Sequence, residues 1–405
     1  MKGLLAKRPL ALGLTLVVLM VGLLFARQAV AAGNWWHEAR PYRVPLAVPA
    51  GGMARADQSV EVNLDFGALL DALGQPRAID ANSIQVVEVT ADGLTIDAAV
   101  PFQFDPASDA APDRLRGTVT FQLSGETAAT ATRHYHVYFG GVAERAGDAP
   151  AAQVTLTNTT DQGFAAYKIT TPHAVYFYHK EGGGFSGLED DDGNDWIDWN
   201  SKTGAAGDFR GIPNMVHPSN GGFFHPGRNT SSSQVISQGA MKVTFESTSD
   251  NGQWKTRWEI FPDYARLTVL KTAGKYWFLY EGTPGGVLDN QDFVVRSNGQ
   301  QNGVFNSWIG DLSGEEWAYI ADPDVDRSIF LLHHSEDSLI DSYKPSNDRK
   351  MTIFGFGRKG NRRYQTEVGD QFSFGLVNST NFNTVAAAVH GALNMAVEVG
   401  AAEQR

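Results

Sequence analysis

The run Tyr167-Lys168-Ile169-Thr170-Thr171-Pro172-His173-Ala174-Val175-Tyr176-Phe177-Tyr178-His179 opens the stretch 167–286 that decides the fold. Gly182-Gly183-Gly184 and Asp190-Asp191-Asp192-Gly193-Asn194-Asp195-Trp196 follow it. Two runs rich in β-branched and aromatic residues, broken at Thr171-Pro172, then a glycine turn and an Asp-Gly turn, spell consecutive antiparallel strands. An irregular segment comes next, Arg210-Gly211-Ile212-Pro213-Asn214-Met215-Val216-His217-Pro218, and then Gly221-Gly222-Phe223-Phe224-His225-Pro226-Gly227-Arg228. Strand-like alternation returns in Trp258-Glu259-Ile260-Phe261-Pro262-Asp263-Tyr264-Ala265-Arg266 and runs on toward Tyr276 and Glu281. A loop so rich in Arg, Asn, His and aromatic side chains is costly to order unless it binds something.

Outward from this stretch the pattern stays β. Short apolar alternations at 42–48, 60–66, 84–89, 94–100, 117–123 and 134–139 are separated by turn residues, the spacing of a β-sandwich; 65–73 reads as a short helix. An Ala/Gly-rich linker covers 141–153. Further strands at 241–247, 256–260, 265–271, 276–280, 318–320, 328–333, 351–356 and 371–377 predict a larger antiparallel unit. The expected fold is all-β: a small N-terminal β-sandwich (33–140), the linker, a large antiparallel β-sandwich (154–380) and an Ala-rich tail (381–405) with a helix over 385–399. No repeat of solenoid period is present.

Composition narrows the function classes. The 405-residue chain carries a formal charge of −12, which argues against a general nucleic-acid role. A polyanionic substrate then requires a local basic groove that overrides the global field. With no cysteine, disulfides and thiolate catalysis are excluded. Lys2, Lys7 and Arg8, an apolar run over 10–25 and Ala29-Val30-Ala31 read as a secretory signal over 1–32. The alternative is an uncleaved anchor, since the run approaches the ~18 residues that span a bilayer. Cleavage implies a periplasmic or extracellular protein with no membrane association.

The strand 167–172, the turn 182–187 and the hairpin Leu188-Glu189-Asp190-Asp191-Asp192-Gly193-Asn194-Asp195-Trp196 together resemble the opening hairpins of galactose-mutarotase-like supersandwich domains. Such domains occur in many carbohydrate-active enzymes, rhamnogalacturonan-type polysaccharide lyases among them. The segment before the linker resembles accessory sandwiches of secreted polysaccharide-degrading proteins. The resemblance implies a large supersandwich and a polysaccharide or oligosaccharide partner. It carries no catalytic motif residue by residue.

Three constellations are candidates for chemistry. Arg210, Asn214, His217, His225 and Tyr264 suit β-elimination on a uronic acid. An Arg or an amide steadies the charge at the carboxylate, and His or Tyr moves the protons. The same residues equally suit loop-locking hydrogen bonds, with Arg228 paired to a carboxylate. A metal site built from His217, His225 and an Asp is a further alternative. Arg228, Trp258, Glu259, Tyr280 and Glu281 would contact substrate, and Glu259 with Glu281 would serve a glycoside hydrolase. Two or three of Trp196, Trp199, Trp254, Trp258, Tyr276, Trp277 and Tyr280 are expected to face a sugar. Asp190, Asp192 and Asp195 offer oxygens for Ca²⁺, though no cofactor is required; the plain alternative is a solvated Asp-Gly turn. His134 and His136 lack a third ligand, and only one of the adjacent His333 and His334 faces any shared site. The sequence therefore points to a polysaccharide lyase, with a glycoside hydrolase or a non-catalytic glycan-binding protein as alternatives.

Overall fold

The computed structural model describes residues 35–76, 78–111, 113–141, 151–216, 222–393 and 395–405. The signal-like segment 1–32, most of the linker (142–150) and His217 lie outside the described residues. The described chain is an all-β sandwich protein built from antiparallel sheets with two α-helices.

Alternation builds the N-terminal layers. Val44, Leu46 and Val48 of strand Tyr42–Pro49 face Val60, Val62 and Leu64 of Arg55–Asp65 across one core. The first sheet orders Tyr42–Pro49, Thr132–Phe139, Gln85–Val89 and Thr95–Asp97; the second orders Arg55–Asp65, Arg116–Thr127 and Phe102–Pro106. The short helix Phe66–Leu73 starts where the Asp65 side chain accepts the Ala68 N–H at 2.9 Å and ends at Gly74, at φ +69°.

The larger part is two-layered. One layer is a nine-stranded antiparallel sheet running from Ser231–Gln238 at one edge to Gln301–Gly303 at the other. The other layer holds two four-stranded sheets. The first contains Phe164–Thr170, Val175–His179 and Gly184–Glu189; the second contains Phe278–Gly282, Thr352–Phe356, Asp341–Pro345 and Trp308–Gly310. Gly211 and Ile212 join them edge to edge, through bridges Gly211–Glu281 and Ile212–Phe185. Aromatics fill the space between the layers, Phe185, Trp258, Phe278, Phe372 and Phe374 among them.

The outer face of the nine-stranded sheet is covered twice. Helix Phe382–Leu393 packs Val385 and Val389 onto Trp317, Tyr319 and Phe330. The N-terminal sandwich docks beside it through buried ion pairs described below. The tail departs from the expected helix over 385–399. After Leu393 it turns, and Glu398–Val399 and Glu403–Gln404 both pair with Tyr42–Pro49. No described helix is long and apolar enough to cross a membrane.

Candidate functional site

The irregular segment that begins at Arg210 is held against strand Phe278–Gly282 by backbone hydrogen bonds. Gly211 and Glu281 exchange N–H···O bonds of 2.8 and 3.0 Å, and the Leu279 N–H reaches the Pro213 carbonyl at 2.8 Å. Glycine is needed at 211: at φ +143° an added Cβ would sit 2.6 Å from Pro226 and 2.8 Å from Asn214 Oδ1. Asn214, at φ +41°, turns its amide inward. Its Nδ2 donates to Glu281 Oε2 at 2.8 Å and to the Phe209 carbonyl at 3.0 Å. Trp277 Nε1 donates to the Asn214 carbonyl at 2.5 Å.

Strand alternation puts Tyr280 into the core and Glu281 on the opposite face. Glu281 is 8 % exposed. Burial pushes its carboxyl up to about 7, against the opposing pull of the Asn214 hydrogen bond and the Arg358 and Lys344 charges. Arg358 reaches this face by folding over Gly355, where a Cβ would meet its Cδ at 2.8 Å. Its Nη1 donates to Ser342 Oγ at 2.9 Å, and its guanidinium lies 5.8 Å from the Trp277 ring. Arg363 lies 6.0 Å from the same ring. One neutral-range carboxyl therefore sits among cations, in a chain of net charge −12. Such a group can accept and return a proton near neutral pH while the cations hold an anionic partner.

Asn214 and Glu281 are thus brought together; the other candidates take different places. Arg210 is a loop latch: it pairs with Asp198 and donates to the Ala205 and Lys350 carbonyls at 3.1 and 3.0 Å. His225 is buried behind the glycine turn, with Nδ1 2.7 Å from the Pro226 carbonyl oxygen and its N–H on the Gly182 carbonyl. Arg228 is half-buried on the same loop. Tyr280 donates its hydroxyl to the Trp196 carbonyl at 2.6 Å inside the core.

Tyr264 and Glu259 require a correction to the grouping expected from sequence. Both lie on the outer face of the nine-stranded sheet. Tyr264 stacks on Phe261 with ring centroids 4.5 Å apart, under helix Phe382–Leu393. Glu259 binds Lys242 at 3.0 Å and Arg266 at 2.8 Å, and Glu61 of the N-terminal sandwich completes the set. Burial raises the Glu259 carboxyl, but Arg266 and Lys242 prevail and hold it down near 2. It therefore cannot pair with Glu281 in hydrolysis; the two belong to different sheets. Trp258 is fully buried between the layers, packed on Phe185 at 4.8 Å. The expectation of sugar-facing aromatics fails for the same reason: of Trp196, Trp199, Trp254, Trp258, Tyr276, Trp277 and Tyr280, none is more than 7 % exposed. Aromatics that alternate along strands served the core here.

The Asp190 loop is engaged by a cation of the protein itself. Arg327 lies 3.0 Å from Asp190 and 2.8 Å from Asp192, while Asp195 accepts the Leu188 and Ile197 amides at 2.9 Å.

A second titratable cluster escaped the sequence reading almost entirely. Ligand atoms of Asp311, Glu316 and Asp341 lie within 4.8 Å of one another, as do those of Glu316, His333 and Asp337. Burial and the neighbouring Glu316 push Asp341 up to about 8. His333 is lowered by burial, but its bonds to Asp370 and Glu316 raise it to about 9, so it acts as the cluster's own cation. His334 points the other way, to Ser373 Oγ at 2.8 Å. Of this cluster only His333 figured in the sequence analysis; Glu316, Asp341 and Asp370 arrive from separate strand ends.

No protein-family model matches the chain, and no curated protein matches it in sequence. Among solved structures, an α-mannosidase from Enterococcus faecalis is similar with a TM-score of 0.50 at 12 % identity. The likeness covers 89 % of this chain and 46 % of the mannosidase, so the chain spans less than half that relative's length. At this identity the likeness is one of fold. The structure of HI1317 matches with a TM-score of 0.38 at 16 % identity, over 55 % of this chain and 99 % of its own.

Proposed function

We propose that this chain is a carbohydrate-active enzyme, a lyase that cleaves a uronic-acid-containing glycan by β-elimination with Glu281 as proton carrier. The observation that carries the reading is the buried Glu281 carboxyl, pushed up to about 7 beside Asn214, Arg358 and Lys344. In the elimination a base takes the C5 proton, and the electron pair forms the C4–C5 double bond. The C4–O bond breaks, and the leaving oxygen recovers a proton. Ionised Glu281 is the base and, once protonated, the donor to the leaving oxygen. Arg358 and Lys344 neutralise the substrate carboxylate on which charge develops. Cations gathered in an acidic protein favour an acidic glycan over a neutral one. An α-mannosidase shares the fold, which supports a glycan as the substrate class. Ala205 packs against the apolar cluster of Trp277, Leu279, Met351 and Ile353. Export, read from residues 1–32, belongs to the same proposal, because acidic polysaccharides are met outside the cytoplasm.

A second reading has its own observation. The carboxylates of Asp311, Glu316 and Asp341, with ligand atoms within 4.8 Å, approach the ~5–5.5 Å spacing of a retaining glycoside hydrolase. One assay separates the readings. The protein is incubated with a panel of acidic and neutral polysaccharides while near-ultraviolet absorbance and reducing ends are followed. A lyase yields unsaturated ends that absorb, and Glu281→Gln abolishes them. Reducing ends without absorbance would overturn the lyase in favour of hydrolysis. Retarded migration in a glycan gel with neither product would make the protein a binder.

A further inference from the structure

We propose that the cleft between the N-terminal sandwich, helix Phe382–Leu393 and the nine-stranded sheet binds a short neutral oligosaccharide, apart from the Glu281 site. The inference rests on the glycan reading above. The cleft has a volume of about 920 Å³, within the ~300–1,000 Å³ of small-molecule sites. The start of strand Arg55–Asp65 forms one side, and the first turns of helix Phe382–Leu393 another. Phe330 of strand Arg327–His333, Leu376 of strand Gln371–Val377 and Phe382 line it with apolar surface. Asp263 and His173, each in a tight turn between two strands, add polar groups. Gly375 lets two of these lining residues come together: an added Cβ would lie 2.7 Å from the Asp263 carbonyl oxygen and 2.8 Å from the Phe330 ring.

Three polar side chains in this lining keep bonding capacity in hand. Asp263 Oδ1 accepts the Ser59 hydroxyl at 2.7 Å, and Oδ2 accepts the Ser59 N–H at 3.3 Å. A carboxylate has about four acceptor positions, so about two remain. Burial raises this carboxyl, while the Ser59 bonds and the His173 charge pull it back, which places His173 close by. The His173 ring bonds to no described residue; its backbone N–H reaches Thr171 Oγ1 at 3.3 Å. Arg55 ties the sandwich to the helix: Nε donates to the Ala50 carbonyl at 2.9 Å and Nη1 to the Ala387 carbonyl at 3.1 Å. Its other N–H groups stay available. Burial lowers its pKa, and no described carboxylate offsets that. Donors and acceptors with spare capacity thus stand beside apolar surface in one cleft. A sugar ring offers both parts, C–H faces for the apolar lining and hydroxyls that donate and accept. Charge decides the class of sugar. In the lining Asp57, Glu126 and Asp263 outnumber Arg55, so an acidic unit is repelled. Glu281 has the opposite surroundings, the Arg358 and Lys344 charges about a single carboxyl. Acidic units therefore suit the Glu281 site, and neutral units the cleft.

The test uses the full chain and saturation-transfer NMR, with mannobiose, cellobiose and galactobiose as neutral probes and digalacturonate as the acidic one. At least one neutral disaccharide should receive saturation. Ala56→Trp puts a bulky side chain on an exposed residue of the cleft, and His173→Ala removes a half-buried ring that bonds to no described residue. Both variants should fold, which thermal unfolding checks. Each should weaken binding of that disaccharide about tenfold or more, the loss that follows a blocked cavity or a missing hydrogen-bond partner. Glu281→Gln should bind it as the wild type does, so a failed lyase assay and an empty cleft are read separately. Failure of all three neutral probes to bind the folded wild-type chain would overturn the proposal. Undiminished neutral binding in either cleft variant would also overturn it, by putting the sugar elsewhere. Digalacturonate binding that Ala56→Trp abolishes would make the cleft a site for acidic sugar instead.

Discussion

Replacing Glu281 by glutamine should make the protein more stable and inactive at once. The folded state holds this carboxyl up to about 7, against 4.5 for a free glutamate. Below pH 4.5 folded and unfolded chains are both protonated there, and the group makes no pH-dependent difference. Between pH 4.5 and 7 the unfolded chain releases its proton while the folded chain keeps it, so stability falls. Above pH 7 the penalty is complete, and at about 1.4 kcal/mol per pH unit it amounts to roughly 3 kcal/mol. Glutamine cannot ionise, and its carbonyl can still accept from Asn214 Nδ2. At pH 8 the variant should therefore unfold roughly 5 °C above the wild type, and at pH 4 the two should coincide. Turnover on a confirmed substrate should drop by ~10²-fold or more. Thermal unfolding across pH 4–8 reads the first effect. A variant less stable at pH 8, or a difference that does not change with pH, would refute the assignment of a buried, neutral-range carboxyl.

Other outcomes follow from the same structure. Glu259→Gln should cost about 3 kcal/mol at neutral pH. The wild-type carboxyl is held near 2, so its contribution is complete above pH 4.5 and lost as pH falls through about 2. Chemical denaturation at pH 7 and pH 2 should show the gap closing. Arg358→Leu removes a charge that keeps the Glu281 pKa down, so the acid limb of the pH–rate profile should move to higher pH. An unshifted limb would remove Arg358 from the site. Tyr280→Phe should cost about 1 kcal/mol by deleting the bond to the Trp196 carbonyl, with no change in that pH profile.

The β character of both sandwiches was legible because apolar residues alternate along Tyr42–Pro49 and Arg55–Asp65, and a one-residue slip would turn them to solvent. Asn214 and Glu281 were legible as separate candidates, Asn214 for elimination and Glu281 for substrate contact or hydrolysis, but their pairing was not. Their partner Arg358 was not, because it comes from a different strand and reaches the site only over Gly355. Glu259 looked equivalent to Glu281 in sequence. What separates them is which sheet face each occupies and which charges wait there, and that depends on how the N-terminal sandwich docks. The aromatic runs misled because burial and sugar stacking draw on the same residue types.

The pairing of Glu398–Val399 and Glu403–Gln404 with Tyr42–Pro49 has a consequence for how the protein is made. During synthesis the edge of Tyr42–Pro49 emerges early, and the whole larger sandwich must be translated before its partner strands exist. Until then an open β-edge is available to any other chain. The closing contacts also join residues far apart in sequence, which slows their formation. A chaperone, or the rapid folding of the intervening sandwich, has to shield that edge in the interval. Damage to these two short pairings would act at the seam where the nascent molecule closes, and expression yield is where it would register first.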